Sequence, residues 1–231
     1  MGTMEIVILI AFIGIIVAAV IFGSIAARKR REAMALLANQ LGLSFSAEKS
    51  DALANRFQFL NQLAQGSNRY AYNVLSGNFQ SNEVLAFDYH YETHSTDSKG
   101  NRQTQHHHLS VFVLLLPVSF PELRISREGI FSKIAQAFGY DDIDFESAEF
   151  SRKFCVRSPD KKFAYDVCNA QMIEYLLANP DMNVEIENRA LTLVFASALK
   201  VTEIEFNLRR LVELRSRMPN YLFCESVICQ S

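Results

Sequence analysis

The chain has 231 residues, of which 49% are hydrophobic and 21% are charged, with nine glycines and five prolines. This composition excludes disordered, collagen-like and low-complexity proteins, and the length suffices for one ordinary domain or two small ones. The formal net charge is −2, which implies no large basic surface, so we expect no nucleic-acid partner.

The first element is an apolar stretch from Ile6 to Ala27, in which Ser24 is the only polar residue. A helix of this length rises roughly 33 Å, which matches a bilayer core of about 30 Å. A cleavable signal peptide is the main alternative, but it needs a positive n-region, and residues 1–5 contain no Lys or Arg. The sequence therefore predicts a single transmembrane helix, with the lipid bilayer as a partner.

A basic cluster follows the apolar stretch at once: Arg28, Lys29, Arg30 and Arg31. Short flanks rich in Lys and Arg stay on the cytoplasmic side of a membrane. We therefore expect the N-terminus outside and the body inside. The predicted division is 1–31 for the anchor with its basic stop-transfer flank and 32–231 for a cytoplasmic body.

Small residues recur along the apolar stretch at Ala19, Gly23 and Ala27. Their spacing of four leaves one helix face without large side chains, which lets a second helix approach closely. Small residues are also common in spans that do not associate. Homo-oligomerisation through this face is therefore a hypothesis, beside an unidentified protein partner.

The first half of the body reads as a helix followed by strands. The helical spacing continues to Leu41, with Gly42 as a stop signal. Strands are predicted over 72–80 and 83–93, with Ser81 and Asn82 as the turn. A third strand, 106–116, is expected to end at Pro117, and its continuous apolar run predicts burial on both faces.

The second half alternates helices and strands. We expect a helix over Ile130–Phe138, a strand over Phe154–Ser158, and a helix over Ala170–Ala178 with Asn169 as its N-cap. A hairpin should turn at Asn188–Arg189. The last predicted helix runs from Thr202, as a Thr cap, to Met218, with its arginines on the outer side: Arg209, Arg210, Arg215 and Arg217.

These elements predict an α+β fold, in which one N-terminal transmembrane helix precedes a mixed, mainly antiparallel sheet domain with packed helices. A weak echo links Leu41-Gly42-Leu43 to Phe138-Gly139-Tyr140. The body is therefore either one unit or two related halves, 32–127 and 128–231.

One segment carries a family resemblance. Its residues are Glu149-Phe150, Phe154-Cys155-Val156 and Ser158-Pro159-Asp160, before a helix that contains Met172. The segment, about 140–196, resembles a bacterial family of membrane-anchored domains of unknown function with an E-F-x-x-x-F-x-V-x-S-x-D core. Members often place Thr-Pro before the helix, whereas this chain has Asn169-Ala170. The resemblance implies a membrane-associated bacterial protein and supplies no activity or catalytic residues. Together with the predicted anchor, it leads us to expect a single-pass protein of the bacterial inner membrane.

The histidines form the sharpest candidate site, because all five lie between His90 and His108. On a strand, His90, Glu92 and His94 point to one face. If the return strand pairs with residue numbers that sum to 200, His106 and His108 join them, and the set suits Zn²⁺ or a similar ion. With a slip of one residue, only His107 would join His90, Glu92 and His94 on that face.

The alternative for this stretch is a polar, solvent-exposed hairpin tip that binds no ion. The order H-x-E-x-H also differs from the H-E-x-x-H of metalloproteases, in which the Glu stands beside the first His on a helix. The choice between the two readings depends on the strand register.

Motifs for catalysis are missing, since the sequence has no phosphate-binding glycine loop and no G-x-S-x-G. We therefore expect neither an enzyme nor a resident cofactor. Three classes of function remain. The favoured one is a membrane-anchored cytoplasmic interaction or scaffold module. The alternatives are a metal-binding sensor or metal-dependent enzyme that uses the histidine hairpin, and a lipid-surface module that uses Arg28–Arg31 with the last helix.

Overall fold

The structure is a computed structural model that describes residues 3–97, 100–127, 141–198 and 200–224. The predicted helix Ile130–Phe138 lies outside the described residues. The helices are α1 (Thr3–Leu41), α2 (Asp51–Arg56), α3 (Ala148–Lys153), α4 (Lys161–Val167), α5 (Ala170–Ala178) and α6 (Val201–Arg217), with a 3-10 helix at Asn220–Phe223. The strands are β1 (Ser44–Ser46), β2 (Ser67–Phe79), β3 (Asn82–Thr96), β4 (Arg102–Arg127), β5 (Phe154–Arg157) and β6 (Val184–Phe195).

Helix α1 joins the apolar stretch to the body without a break. Every side chain from residue 10 to residue 29 is exposed, whereas Met34 and Ala38 are buried in the body. Gly42 ends the helix at a φ of +70°, in the left-handed region that glycine adopts without strain. The helix predicted to continue to Leu41 is confirmed, and residues 10–41 are long and apolar enough to cross a membrane.

Strands β1 to β5 follow one another in a single antiparallel sheet, and β6 pairs with β4. The turn between β2 and β3 lies one residue earlier than predicted. Gln80 and Ser81 form it, with φ values of 49° and 64°, and Phe79 pairs with Asn82. Two successive left-handed residues give a turn whose twist matches the right-handed twist of the flanking strands. Asn82 is therefore the first residue of β3 and not part of the turn.

Strand β6 folds back on itself, as the sequence predicts. The Thr192 hydroxyl donates to the carbonyl of Glu185 at 2.9 Å. Residues seven apart on a straight strand would be separated by about 23 Å, so the chain must reverse between them. Asn188 has a φ of 52° at the predicted turn. The predicted hairpin at Asn188–Arg189 is confirmed.

Strand β4 wraps around this hairpin. Its residues 110–115 pair with 190–195, and its residues 120–125 pair with 184–188. Because the two arms of the hairpin are antiparallel, β4 must reverse direction between residues 115 and 120. The two segments of β4 lie on opposite sides of the hairpin, three strand spacings of about 4.8 Å apart. The five residue steps from 115 to 120, at about 3.3 Å each, are long enough to connect them.

The predicted end of this strand at Pro117 is therefore wrong in part. Extended backbone continues to Arg127, but the straight ladder ends at Leu115. Proline has no N–H to donate to a ladder, so it sits where the chain leaves one partner and approaches the next.

The sheet is buried on both faces, as predicted from the apolar run in β4. Phe112 and Leu114 join a core with α1, α5 and α6, while Val111 and Val113 join a second core beside α2. The first core contains residues from both predicted halves, 32–127 and 128–231. That the two halves are related to each other stays a prediction. The predicted α+β class is confirmed.

The start of the last helix differs from the prediction. Helix α6 begins at Val201 with Lys200 at the N-cap position and no side-chain cap, so Thr202 is not the cap. The N–H of Glu203 already bonds to the carbonyl of Lys200 at 2.9 Å, which closes the first turn earlier in the chain. By contrast, Asn169 caps α5 as predicted, because its side chain accepts from the N–H of Met172.

Candidate functional site

The junction of α1 with the sheet rests on a two-pronged ion pair. The guanidinium of Arg30 donates to Asp88 through Nη1 at 2.7 Å and through Nη2 at 3.0 Å. The Asp88 side chain is only 3% exposed, and Asn73 donates to the same carboxylate at 2.9 Å. One member of the predicted basic flank therefore contacts the body, and its partner lies 58 residues away in sequence.

The contacts of α1 also give its direction along the sheet. Met34 lines a small cavity with Ala86, and one turn earlier Arg30 contacts Asp88. Ala86 and Asp88 are alternate residues of β3 and share a face. A step along α1 toward the apolar stretch is thus a step along β3 toward His90. The histidines lie at the end of the body nearest that stretch.

The register of β3 with β4 differs from the one predicted. Paired residue numbers sum to 198, so His90 is opposite His108 and Glu92 is opposite His106. The predicted sum of 200 is wrong by two residues. Because the difference is two residues, the predicted face is preserved. His107 points to the opposite face, where its ring stacks on Tyr91.

Three of the five predicted metal ligands converge. His90 Nε2 lies 3.2 Å from His106 Nδ1, and His106 Nδ1 lies 3.3 Å from Glu92 Oε1. Each of the three residues offers a ligand atom that lies within 4.8 Å of those of the other two. His90 is buried, while the His106 side chain is 59% exposed. The group thus sits at the surface with one buried member.

Asn68 positions two of these three residues. Its backbone carbonyl lies 3.1 Å from His90 Nδ1, and its side chain donates to Glu92 Oε1 at 2.7 Å. This hydrogen bond is the main cause that lowers the pKa of Glu92. Asn68 has a φ of 49° and lies in an irregular section of β2, a backbone state that Asn tolerates better than most residues.

The other two predicted ligands are engaged elsewhere. His94 contacts the hydroxyls of Ser67 and Thr104, both at 3.1 Å. His108 Nδ1 lies 3.3 Å from the Tyr72 hydroxyl. Burial is the main cause that lowers the pKa of His108.

The structure also contains a cluster of three glutamates that the sequence did not predict. The carboxylates of Glu122, Glu185 and Glu187 approach within 4.8 Å of one another. Arg124 donates to Glu185 at 3.2 Å and pairs with Glu122, and the Asn61 N–H donates to Glu185 at 2.8 Å. Burial is the main cause that raises the pKa of Glu187 to about 7. These are internal partners, and no local signal predicts them, because Glu122 lies on β4 whereas Glu185 and Glu187 lie on β6.

The arginines of α6 form the predicted solvated outer face only in part, since the Arg209 side chain is 56% exposed whereas Arg210 is not. Arg210 is buried, with Nη2 donating to Asp181 at 2.5 Å. Arg215 stacks on Phe223, and Arg217 lies over the Tyr175 ring and pairs with Glu213. Arg209 pairs with Glu205. Intramolecular partners thus engage the residues that a lipid-binding role for this helix would need.

No family model matches this chain, and no curated protein matches it. The resemblance to a bacterial family of unknown function stays a prediction. The fold is similar to the crystal structure of the mycobacterial trehalose monomycolate transport factor A, TtfA, with a TM-score of 0.57. The sequence identity is 14%, and the match covers 83% of this chain and 95% of that chain. At this identity the likeness concerns the fold alone.

Proposed function

We propose that this protein is a single-pass bacterial inner-membrane protein whose cytoplasmic body is an interaction module for a membrane protein partner. The observation that carries the proposal is the unbroken helix α1, which is exposed along its apolar stretch and buried where Met34 and Ala38 enter the body. Such a connection fixes the distance and the angle between the body and the bilayer, which suits a module that must present one face to a neighbour.

The Arg30–Asp88 pair supports the same role. A helix that merely tethers a domain is followed by a flexible linker, so that the domain moves freely. Here a doubly hydrogen-bonded, partly buried pair holds the helix to the sheet at the point where it leaves the body. The fold shared with TtfA, which is named as a transport factor, is compatible with an accessory role beside a membrane transporter.

The orientation can be tested with cysteines. Cys224 is exposed on the body, and Thr3→Cys would add a thiol on the other side of the span. A maleimide that cannot cross membranes should label residue 3 in intact cells and reach Cys224 only after permeabilisation. Labelling of Cys224 in intact cells would contradict a cytoplasmic body.

The partner can be sought by photo-crosslinking in native membranes. One crosslinking residue would replace Gly23, on the small-residue face with Ala19 and Ala27, and another would replace Phe206, which is 57% exposed on α6. A product of twice the chain mass from position 23 indicates a homo-oligomer, and other masses from position 206 indicate a different protein. Ile21, two residues and about 200° around the helix from Gly23, is the control. No protein adduct at either test position would contradict the interaction module.

A further inference from the structure

We propose that His90, Glu92 and His106 form a binding site for one divalent transition-metal ion such as Zn²⁺, at the end of the body nearest the apolar stretch. This inference does not depend on the identity of the protein partner. It rests on the spacing of the donor atoms, on the groups that orient them, and on their chemical type.

The spacing of the donor atoms fits a tetrahedral ion. Zinc bonds of about 2.0–2.1 Å to nitrogen or oxygen, at the tetrahedral angle, place two ligand atoms about 3.3 Å apart. The distances are 3.2 Å between His90 Nε2 and His106 Nδ1 and 3.3 Å between His106 Nδ1 and Glu92 Oε1. Two of the three ligand pairs therefore already have the spacing that a tetrahedral ion requires, and the three residues offer ligand atoms within 4.8 Å of one another.

The surrounding groups orient the ligands. The Asn68 carbonyl can only accept, so the contact at 3.1 Å puts the His90 proton on Nδ1. Nε2 of His90 then carries the lone pair and lies 3.2 Å from His106 Nδ1. Metal-binding histidines ordinarily donate their second N–H to a carbonyl or carboxylate in this way. The Asn68 side chain also holds Glu92 at 2.7 Å, so one residue orients two ligands.

The donor set selects the class of ion. Two imidazole nitrogens and one carboxylate oxygen suit zinc and other first-row divalent ions, whereas calcium and magnesium prefer oxygen donors alone. Three protein ligands leave a fourth position for water or another small ligand, as in catalytic rather than structural zinc sites. His106 is the exposed ligand, so the ion can enter from solvent.

The test uses the full chain in detergent, purified without a histidine tag, with Zn²⁺ titrated against a chromophoric chelator. The wild type should bind one equivalent. His106→Asn and Glu92→Gln should each weaken the affinity at least about tenfold, and Asn68→Ala should weaken it by about 10–100-fold, because it removes the side-chain hydrogen bond that orients Glu92. His106 is exposed, so its replacement should leave the fold intact, which circular dichroism checks.

Two histidines of the same hairpin provide matched controls. His94→Asn removes a ring that bonds to Ser67 and Thr104, and His107→Asn removes one on the opposite face. Both variants should bind zinc as tightly as the wild type. The visible spectrum of bound Co²⁺ should show a tetrahedral site in the wild type and not in His106→Asn. Absence of a one-equivalent site, or equal losses in the control variants, would overturn the proposal.

Discussion

At the scale of single residues, Arg30 shows how one side chain serves two purposes. In the sequence it belongs to a run of four basic residues whose expected role is to retain the body on the cytoplasmic side. In the structure its guanidinium is the partner of Asp88, whose side chain is 3% exposed. A buried carboxylate without such a partner would be strongly unfavourable, so the body needs this one member of the cluster.

Arg30→Gln should therefore destabilise the protein by about 2–3 kcal/mol, since it leaves the charge of Asp88 buried and unpaired. Lys29→Gln removes the same charge from the flank and should change the stability by less than about 0.5 kcal/mol. Thermal unfolding followed by circular dichroism measures both. Adding Asp88→Asn to Arg30→Gln should recover part of the loss. Equal effects of the Arg30 and Lys29 changes would show that the ion pair contributes nothing.

Glu187 supplies a prediction on pH. Its folded-state pKa is raised to about 7, first by burial and then by the neighbouring Glu122 and Glu185. An acid with a raised folded-state pKa favours folding below its unfolded pKa, near 4.3, and this contribution is lost as the pH rises through about 7. Glu187→Gln should raise the melting temperature at pH 8 and change it little near pH 4.

The matched control for this pH dependence is Glu83→Gln, because Glu83 is an exposed acid beside the β2–β3 turn. It should give the same melting temperature as the wild type at both pH values. A Glu187→Gln variant that gains as much at pH 4 as at pH 8 would rule out titration of this carboxyl as the cause.

At the scale of elements, Gly66 determines how β2 starts against β3. It has a φ of +65°, and a Cβ at this position would lie 2.2 Å from the backbone oxygen of Glu92. Any side chain would push the two strands apart beside the proposed metal ligands. The approach of the strands thus depends on glycine twice, for its backbone angle and for its size.

Gly66→Ala should lower the stability by more than the roughly 1–3 kcal/mol of an unfavourable backbone angle alone. Gly100→Ala separates the two causes. Gly100 also has a positive φ, +86°, but no atom lies within 4 Å of a Cβ added there. Denaturant unfolding should show a clearly larger loss for Gly66→Ala. Equal losses would indicate that the contact with Glu92 relaxes without cost.

At the scale of the whole molecule, the boundary between anchor and body is a question of packing. The predicted division after residue 31 follows the basic cluster, yet Arg30 contacts the sheet and Met34 and Ala38 lie in its core. A chain of residues 28–231 should therefore fold as a soluble α+β domain that is about 2–3 kcal/mol more stable than residues 32–231, for the same reason as in Arg30→Gln. Unfolding of both fragments under identical conditions measures the difference, and equal stabilities would contradict it.

Local pattern was enough for several features of this protein. The apolar stretch, the stop at Gly42, the cap at Asn169 and the turn at Asn188–Arg189 each depend on neighbouring residues, and the structure has all four. The shared face of His90, Glu92 and His94 also follows from local pattern, because side chains alternate along a strand.

Only the tertiary structure decided what meets across the chain. A shift of two residues leaves every side chain on its predicted face, so the hydrophobic pattern cannot separate a pairing sum of 198 from one of 200. That shift determines which histidines lie close enough to share an ion. The wrapping of β4 around the β6 hairpin and the pairing of Arg30 with Asp88 join residues far apart in sequence. Such contacts are selected by how the whole core packs, and no local propensity encodes them.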